Sequence, residues 1–366
     1  MLRSYGNDGV NGVLFDANCA FIDKQKIYFF PQTSNKLYSM DLNNHRVEYL
    51  GKIPWEDEDG IRLIESLIMV ENRLYMIPFA GRYLTSYDMR SKEFDKIDIR
   101  NNGKLKGSFG SVFSDHELLF IFGQTANVIL EYNTKTGKIK SYSDWVTEIK
   151  EIAFNINDAY FRNQGVKCED YYLIPLCNAN ALLLFDYNKK SFRIVRLGSD
   201  ANGYSGATRI NDSIWLAPRI GGMYAIECDL DFKIKRRVLP DAQLFSEAWF
   251  SGVTSRKGRP TIISSSAKTN KKEFIIDEIG YMNHASLLFC DDVFRVYYDD
   301  LEKQIRIETD DEILYDDTIK ASIDELAACG WISDTRKGIV MLENKQENLS
   351  LLVDMAKHFG EETNYE

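Results

Sequence analysis

The stretch KIYFFPQTSNKLYSMD (residues 26–41) is repeated in pattern by RLYMIPFAGRYLTSYD (residues 73–88), 47 positions further on. Each is an apolar run, a proline, a few small or polar residues, a second apolar run and a closing aspartate. Runs this short that are rich in Tyr, Phe, Ile and Leu suit β-strands and are too short for helices. The stretch therefore predicts a β-hairpin that the chain uses more than once.

The same hairpin pattern occurs three more times, closing at Asn133, Asp186 and Asp229. The closing positions are separated by 47, 45, 53 and 43 residues. A further strand-like run precedes and follows each hairpin, which gives four strands per unit. A period in the forties with four antiparallel strands per unit is typical of a β-propeller.

The repeat becomes less regular after Pro240, although 250–264 matches 204–218 and starts a sixth unit. Four more strand-like runs complete that unit and leave part of another. We predict an all-β, six-bladed propeller of four-stranded antiparallel blades over residues 1–310, with seven blades as the alternative. Residues 311–366 are predicted to be a C-terminal extension whose amphipathic helix (349–359) packs on the propeller.

The 53-residue separation contains a segment with helical spacing, 143–155. Its apolar positions are Trp145, Ile149 and Ile152, which predicts a short helix between blades three and four, with Ser143 as its N-cap.

The closing Asp or Asn of the five hairpins, and the proline that four of them contain, have structural explanations. An Asx side chain accepts hydrogen bonds from backbone N–H groups just after it and fixes a turn. A proline offers no N–H and so ends a strand ladder.

Charge and composition exclude several classes of partner. The formal net charge is −10, which repels phosphate backbones and predicts no nucleic-acid partner. No apolar run is long enough to predict a membrane span, and the first residues lack the apolar core of a secretory signal. Six cysteines without a CxxC pair indicate reduced thiols and a cytoplasmic location.

The repeat resembles the bacterial kelch-like propellers, over about residues 10–310. Kelch repeats carry a Gly-Gly doublet followed by a spaced Tyr and Trp, and here Gly221-Gly222 with Tyr224 matches while the other blades lack the doublet. WD-type repeats fit less well, because no blade ends in a Trp-Asp pair. The resemblance implies the propeller fold and a scaffold that presents a ligand or partner surface.

No catalytic or metal-binding motif stands out. The four histidines fall in different units, and the chain contains no HExxH, GxSxG or phosphate-binding glycine loop. The sequence therefore predicts no metal and no cofactor, and it favours a protein that is not an enzyme.

One candidate site is the mouth of a central channel, where the innermost strands begin. The blades are brought into register at Pro31, Pro78, Phe122, Pro175 and Pro218, and Ser251 follows from the match of 250–264 to 204–218. This aligns one set of positions, mostly polar, as candidate ligand contacts: Asn18, Glu65, Phe109, Arg162, Ser205 and Ser251. The alternative explanation is a hydrophilic, water-filled channel.

A second candidate surface consists of the loops that join the second and third strands. Their amides suit hydrogen bonding to a carbohydrate, and the nearby rings of Tyr204, Trp249 and Phe250 suit stacking on it. The same composition equally suits a protein partner. The candidate residues are Gln32, Arg82, Tyr83, Gln124, Asn127, Asn178 and Arg219.

Two functions follow from these surfaces. The first is a non-catalytic binding or interaction protein for a carbohydrate, a polar small molecule or a protein partner. The alternative is a propeller hydrolase or lyase acting on a sugar or cyclic ester, with Glu65 beside Arg162 at the channel mouth.

Overall fold

The computed structural model describes residues 3–7, 10–15, 17–58, 60–162 and 164–322. Apart from two short helices, the regular structure of these residues is β-strand. The predicted all-β class is confirmed.

The strands form seven four-stranded sheets, the blades of a seven-bladed β-propeller fold. The six-blade prediction is wrong by one, and the seven-blade alternative is confirmed. In chain order the blades are β3 (Cys19–Asp23), β4 (Lys26–Phe30), β5 (Lys36–Asp41) and β6 (Val47–Lys52); β7 (Ile64–Val70), β8 (Arg73–Pro78), β9 (Leu84–Asp88) and β10 (Phe94–Ile97); β11 (Phe109–Asp115), β12 (Leu118–Gly123), β13 (Ile129–Asn133) and β14 (Ile139–Tyr142); β15 (Val166–Lys167), β16 (Tyr172–Pro175), β17 (Ala181–Asp186) and β18 (Ser191–Arg196); β19 (Tyr204–Ile210), β20 (Ser213–Pro218), β21 (Ala225–Cys228) and β22 (Ile234–Val238); β23 (Phe250–Arg256), β24 (Arg259–Ser264), β25 (Glu273–Ile276) and β26 (Ile279–Met282); β27 (Ala285–Cys290), β28 (Arg295–Asp299), β29 (Gln304–Glu308) and β30 (Ile313–Asp317).

An eighth, three-stranded sheet joins the two ends of the described chain. β1 (Arg3–Asn7) pairs antiparallel with β2 (Val10–Phe15), and β2 pairs antiparallel with β31 (Ile319–Ser322). The C-terminal extension predicted from residue 311 thus contributes β30 and β31, and its predicted helix lies outside the described residues.

The chain divides into two compact units. Of the described residues, unit 1 comprises those up to 97, 302–309 and 313–322, and unit 2 comprises those between 98 and 301 and 310–312. Within the described residues, unit 1 contains β1 to β10 and β29 to β31, and unit 2 contains β11 to β28.

Neighbouring blades within a unit bury apolar faces against each other. This explains why apolar and polar residues alternate only weakly along the hairpin strands. In unit 2 the third and fourth blades share an aromatic core, where the rings of Phe113 and Tyr172 stack with centroids 4.3 Å apart. All six residues of β20 are buried. A strand covered on both faces reads as an apolar run, because neither face needs polar side chains.

The closing residues of the hairpins fix the turns as predicted. Asp41 Oδ1 accepts hydrogen bonds from the backbone N of Asn43 (2.9 Å) and of Asn44 (3.3 Å). Equivalent bonds occur at Asp88, Asn133, Asp186 and Asp229. These backbone hydrogen bonds hold the pKa of Asp41 below its usual value, because they favour the charged carboxylate.

The predicted helix between blades three and four is confirmed as α1 (Trp145–Ile152). The N-cap assignment to Ser143 is wrong: Asp144 occupies that position and makes no side-chain capping bond. Packing explains the helix, because Trp145 and Ile149 are buried in the aromatic core.

The sixth blade departs from the antiparallel rule. β24 pairs parallel with β26, and β25 lies outside β26 as the edge strand. The chain therefore crosses from β24 to the outer edge before it returns. The buried Asn283 side chain anchors the crossing segment through the backbone N and O of Ala267 (2.5 and 3.2 Å) and the O of Thr269 (3.1 Å).

A second helix, α2 (Ala242–Phe245), lies between blades five and six. Its N-cap, Asp241, accepts hydrogen bonds from the backbone N of Gln243 and Leu244. Neither α1 nor α2 has the length and apolar character that crossing a membrane would require, and no other helix occurs in the described part of the chain.

Candidate functional site

In unit 1, the predicted channel-mouth residues are engaged by their own unit. Glu65 is 2% exposed, and Arg62 donates to it from Nε (2.7 Å to Oε2) and from Nη2 (2.6 Å to Oε1). The Arg62 guanidinium in turn lies 4.1 Å from the centroid of the Phe79 ring. Asn18 Nδ2 donates to the backbone O of Ile64 at 2.5 Å. Sequence reasoning missed Arg62 as the partner of Glu65, although their spacing of three residues was visible.

In unit 2, three of the four predicted channel-mouth residues also have structural contacts. Phe109 is fully buried. Ser205 Oγ donates to the backbone O of Pro218 at 3.0 Å, and Ser251 Oγ accepts from the backbone N of Leu287 at 3.0 Å. Arg162 is the exception, as described below.

The predicted loop residues of unit 1 are held in a polar, partly exposed network. The backbone N of Arg82 donates to Glu56 Oε1 at 2.7 Å. The ammonium group of Lys96 lies 5.4 Å from the centroid of the Tyr83 ring, and the backbone O of Gln32 accepts from the N of Arg62 at 2.6 Å. These contacts stabilise the loops.

The loop region of unit 2 is built around the irregular segment that follows α1. The backbone N of Tyr160 donates to the O of Gln124, and the O of Tyr160 accepts from the N of Cys177, both at 2.8 Å. The N of Phe154 donates to the O of Asn178 at 2.9 Å. The segment is therefore tied to the second-to-third-strand loops of blades three and four. We call the resulting surface the loop face of unit 2; it comprises Gln124, 154–162, Cys177, Asn178, Arg219 and Trp249.

An ion pair joins this segment to blade five. Arg219 donates from Nη2 to Asp158 Oδ1 at 2.7 Å and from Nη1 to the other carboxylate oxygen, Oδ2. Arg219 is 8% exposed. Burial raises the pKa of Asp158, but the hydrogen bond from Arg219 and the charges of Arg219 and Arg162 outweigh it, so the pKa lies below its usual value. Asp158 is therefore a carboxylate at neutral pH.

An exposed aromatic ring adjoins this ion pair. Trp249 is 51% exposed, and the Arg219 guanidinium lies 5.6 Å from its ring centroid. The backbone around it is fixed, because the N of Ser265 donates to the O of Trp249 at 2.9 Å and the N of Phe250 donates to the O of Arg219 at 3.1 Å. The indole thus presents a flat apolar surface on a rigid backbone.

Arg162 is a second cation on this face. Its positive charge acts on the Cys177 thiol and on Asp158, and in both groups it favours the charged form. Burial raises the pKa of Cys177 to about 11, so the thiol is neutral at physiological pH. No carboxylate of the described residues forms an ion pair with Arg162. Asp158 therefore neutralises Arg219, and the two guanidinium groups have one carboxylate between them.

Three buried polar atoms on the same face have no hydrogen-bond partner among the described residues: Gln124 Nε2, Asn178 Oδ1 and Arg219 Nε. The three side chains are 2%, 0% and 8% exposed. Buried polar atoms normally have partners, and orphaned ones cost free energy. Three such atoms lie in neighbouring loops, which makes this face the candidate site.

None of the three described histidines contributes to this face, and His358 lies outside the described residues. His45 and His116 lie in turns with positive φ, and His284 lies between β26 and β27. Within the described residues, no group of three or more His, Cys, Asp or Glu side chains is arranged to hold a metal ion.

The Asp158–Arg219 pair predicts a pH-dependent contribution to stability. Because the folded pKa of Asp158 is lowered, the contribution is full above the unfolded value, about 3.9, and is lost as the pH falls through the folded value. We expect Asp158→Asn to lower the free energy of unfolding by about 2 kcal/mol at pH 7, less than in a fully buried pair. The difference in melting temperature between wild type and Asp158→Asn should be the same at every pH between about 6 and 8. The two melting temperatures should converge below about pH 4.

Asp212→Asn, which neutralises an exposed carboxylate of the same unit, is the control. If the difference in melting temperature between wild type and Asp158→Asn grew on acidification, it would contradict the lowered pKa assigned to Asp158.

No protein-family model matches the chain, and no curated protein does. Solved structures do resemble it. Virginiamycin B lyase from Staphylococcus aureus matches with a TM-score of 0.58 and 11% identity, over 81% of this chain and 92% of the lyase. A catalytically inactive variant of that lyase with quinupristin matches with a TM-score of 0.57 and 11% identity, over 86% of this chain and 97% of that one.

An extracellular domain from B. thetaiotaomicron, assigned to a one-component system, has a TM-score of 0.52 and 12% identity. The match covers 86% of this chain and 39% of that one. No kelch relationship emerges from these comparisons, so the kelch resemblance rests on Gly221, Gly222 and Tyr224 alone. At such low identity the likeness establishes one thing about this chain: its fold is that of a β-propeller.

Proposed function

We propose that this protein is a non-catalytic binding protein that holds a carbohydrate on the loop face of unit 2. One observation carries the proposal: an exposed indole lies beside an ion pair and three buried polar atoms that no described residue satisfies. Binding sites for small polar molecules combine apolar surface with a few convergent polar groups in this way.

The residue types match the chemistry of a sugar. The C–H face of a pyranose ring is apolar and packs on the flat face of an aromatic ring, here Trp249. Its hydroxyl groups both donate and accept hydrogen bonds. Asn178 Oδ1, an acceptor, and Gln124 Nε2, a donor, have no partner among the described residues, and we assign the two kinds of hydroxyl contact to them.

The enzymatic alternative has less support from the described residues. It assigns acid or base work to Glu65, whose two carboxylate oxygens both accept hydrogen bonds from Arg62. A carboxylate held in this way behaves as a structural ion pair rather than as a free general base. The likeness to a lyase concerns the fold and adds nothing to this assignment.

Replacing the indole tests the proposal. Because Trp249 is half exposed, Trp249→Ala should leave the melting temperature nearly unchanged and weaken saccharide binding about 10-fold or more, since it removes the stacking surface. Isothermal titration calorimetry of both proteins against a panel of monosaccharides and disaccharides measures the effect.

Ile275→Ala is the matched control, because Ile275 is an exposed apolar residue of unit 2 on β25, outside the loop face. It should bind as the wild type does. Saccharide binding that survives Trp249→Ala unchanged would place the site elsewhere, and a panel without any binder would reject the proposed function.

A further inference from the structure

The loop face of unit 2 carries a positive charge that the fold leaves uncompensated. Asp158 already accepts two hydrogen bonds from Arg219, so its charge is committed to that pair. Arg162 forms no ion pair with a carboxylate of the described residues, and the Cys177 thiol close to it is kept protonated and neutral at physiological pH by burial. Counting Arg162, Arg219 and Asp158, the cluster has one net positive charge.

The sign of this charge is opposite to the net charge of the chain as a whole. The protein has a formal net charge of −10, and its other cations have carboxylates of their own in many places, as with Lys140 and Glu131 or Arg256 and Glu273. A half-buried guanidinium without a carboxylate partner is stabilised when an anion binds to it. We infer that the ligand is a saccharide that carries a carboxylate, and that Arg162 binds that carboxylate.

The geometry of the group favours a carboxylate. A guanidinium presents planar pairs of N–H donors that match the two oxygens of a carboxylate. A phosphate monoester carries close to two negative charges at neutral pH, and the nearby Asp158 would repel the second. One net positive charge therefore suits a monoanion better than a dianion.

The other groups of the face complete the recognition of such a molecule. Trp249 offers its indole to the sugar ring, and Asn178 Oδ1 and Gln124 Nε2 remain for hydroxyl groups. This assignment rests on the proposed function, since it names the class of ligand for the same site. The class is a uronic or other monocarboxylated sugar.

The test compares acidic sugars with their neutral counterparts by isothermal titration calorimetry. The probes are D-glucuronic, D-galacturonic and D-mannuronic acid, each against its parent hexose and hexose 6-phosphate. We expect at least one acid to bind the wild type about 10- to 100-fold more tightly than its parent hexose, the range of a hydrogen-bonded charge pair. Arg162→Gln should abolish that preference, because the acid then binds no more tightly than its parent hexose binds to the same variant.

Arg196→Gln, which removes an exposed arginine from β18 of the same unit, is the control for overall charge and should keep the preference. Hexoses that bind as tightly as the acids, or 6-phosphates that bind more tightly, would overturn the inference and leave the proposed function standing. An acid preference that persists in Arg162→Gln would overturn the role of Arg162. If none of the sugars binds, both proposals fail.

Discussion

Gly221→Ala is expected to destabilise the protein by about 3 to 5 kcal/mol, the largest effect of any substitution considered for this chain. A methyl group at this position would lie 1.8 Å from the backbone O of Phe245 and 2.9 Å from its backbone C. Atoms this close cannot coexist, so the end of α2 must move away from the loop. That end is fixed, because the N of Gly221 donates to the O of Ala248 at 2.8 Å and Phe245 is fully buried.

The adjacent Gly222 provides a matched control. Its φ is +85°, in the left-handed region, but no heavy atom lies within 4 Å of the place where a methyl group would be. Gly222→Ala should therefore cost only the backbone strain, about 1 kcal/mol. Melting temperatures from calorimetry compare the two. Equal losses in both variants would show that backbone conformation, rather than crowding against Phe245, explains the doublet.

Gln164→Met is expected to lower the free energy of unfolding by about 2 to 4 kcal/mol, because it leaves two backbone groups unpaired. Gln164 Nε2 donates to the O of Val253 at 2.6 Å, and Oε1 accepts from the N of Val253 at 3.1 Å. A methyl group added at Gly206 or at Gly252 would lie 2.2 or 2.4 Å from Gln164 Oε1. The absence of side chains at these two glycines leaves room for the Gln164 amide, which connects Gln164 to Val253, 89 residues further along the chain.

Methionine has nearly the volume of glutamine but cannot pair with the backbone of Val253, so the substitution isolates the hydrogen bonds. Gln243→Met, at an exposed position of α2, should change stability by less than about 0.5 kcal/mol. Urea unfolding followed by circular dichroism measures both. A Gln164→Met variant as stable as the control would mean that Val253 finds other partners.

The fold could largely be predicted from the sequence, since its strands pair mostly with neighbours along the chain. The repeated hairpin with its closing Asp gave five blades directly, and Asp41 holds its turn as predicted. The blade count was harder, because the sixth blade interrupts the repeat. There the chain skips one strand position, and β26 returns parallel to β24. No residue pattern marks that crossing except Asn283, whose contacts are visible only in three dimensions.

The candidate site could be predicted only in part. The sequence pointed to Gln124, Asn178 and Arg219, because they occupy equivalent loops in the repeat. Asp158 was missed, because it lies in the irregular segment after α1, where the repeat offers no register. The partner of Glu65 was also missed. An alignment of the strand starts compares equivalent positions in different blades, so it does not show that Arg62, in the same blade as Glu65, is its partner.

Indole NMR tests the central claim most directly, with the tryptophans labelled with ¹⁵N and a carboxylated sugar titrated in. The chain has five tryptophans, and Trp249→Phe identifies the Nε1–H signal of Trp249. Binding on the loop face of unit 2 should shift that signal in a saturable way and leave in place the signal of Trp55, a residue of unit 1 whose Nε1 donates to Thr85 Oγ1 at 3.3 Å. A saturable shift of other tryptophans with Trp249 unmoved, or no shift with any sugar of the panel, would contradict the account.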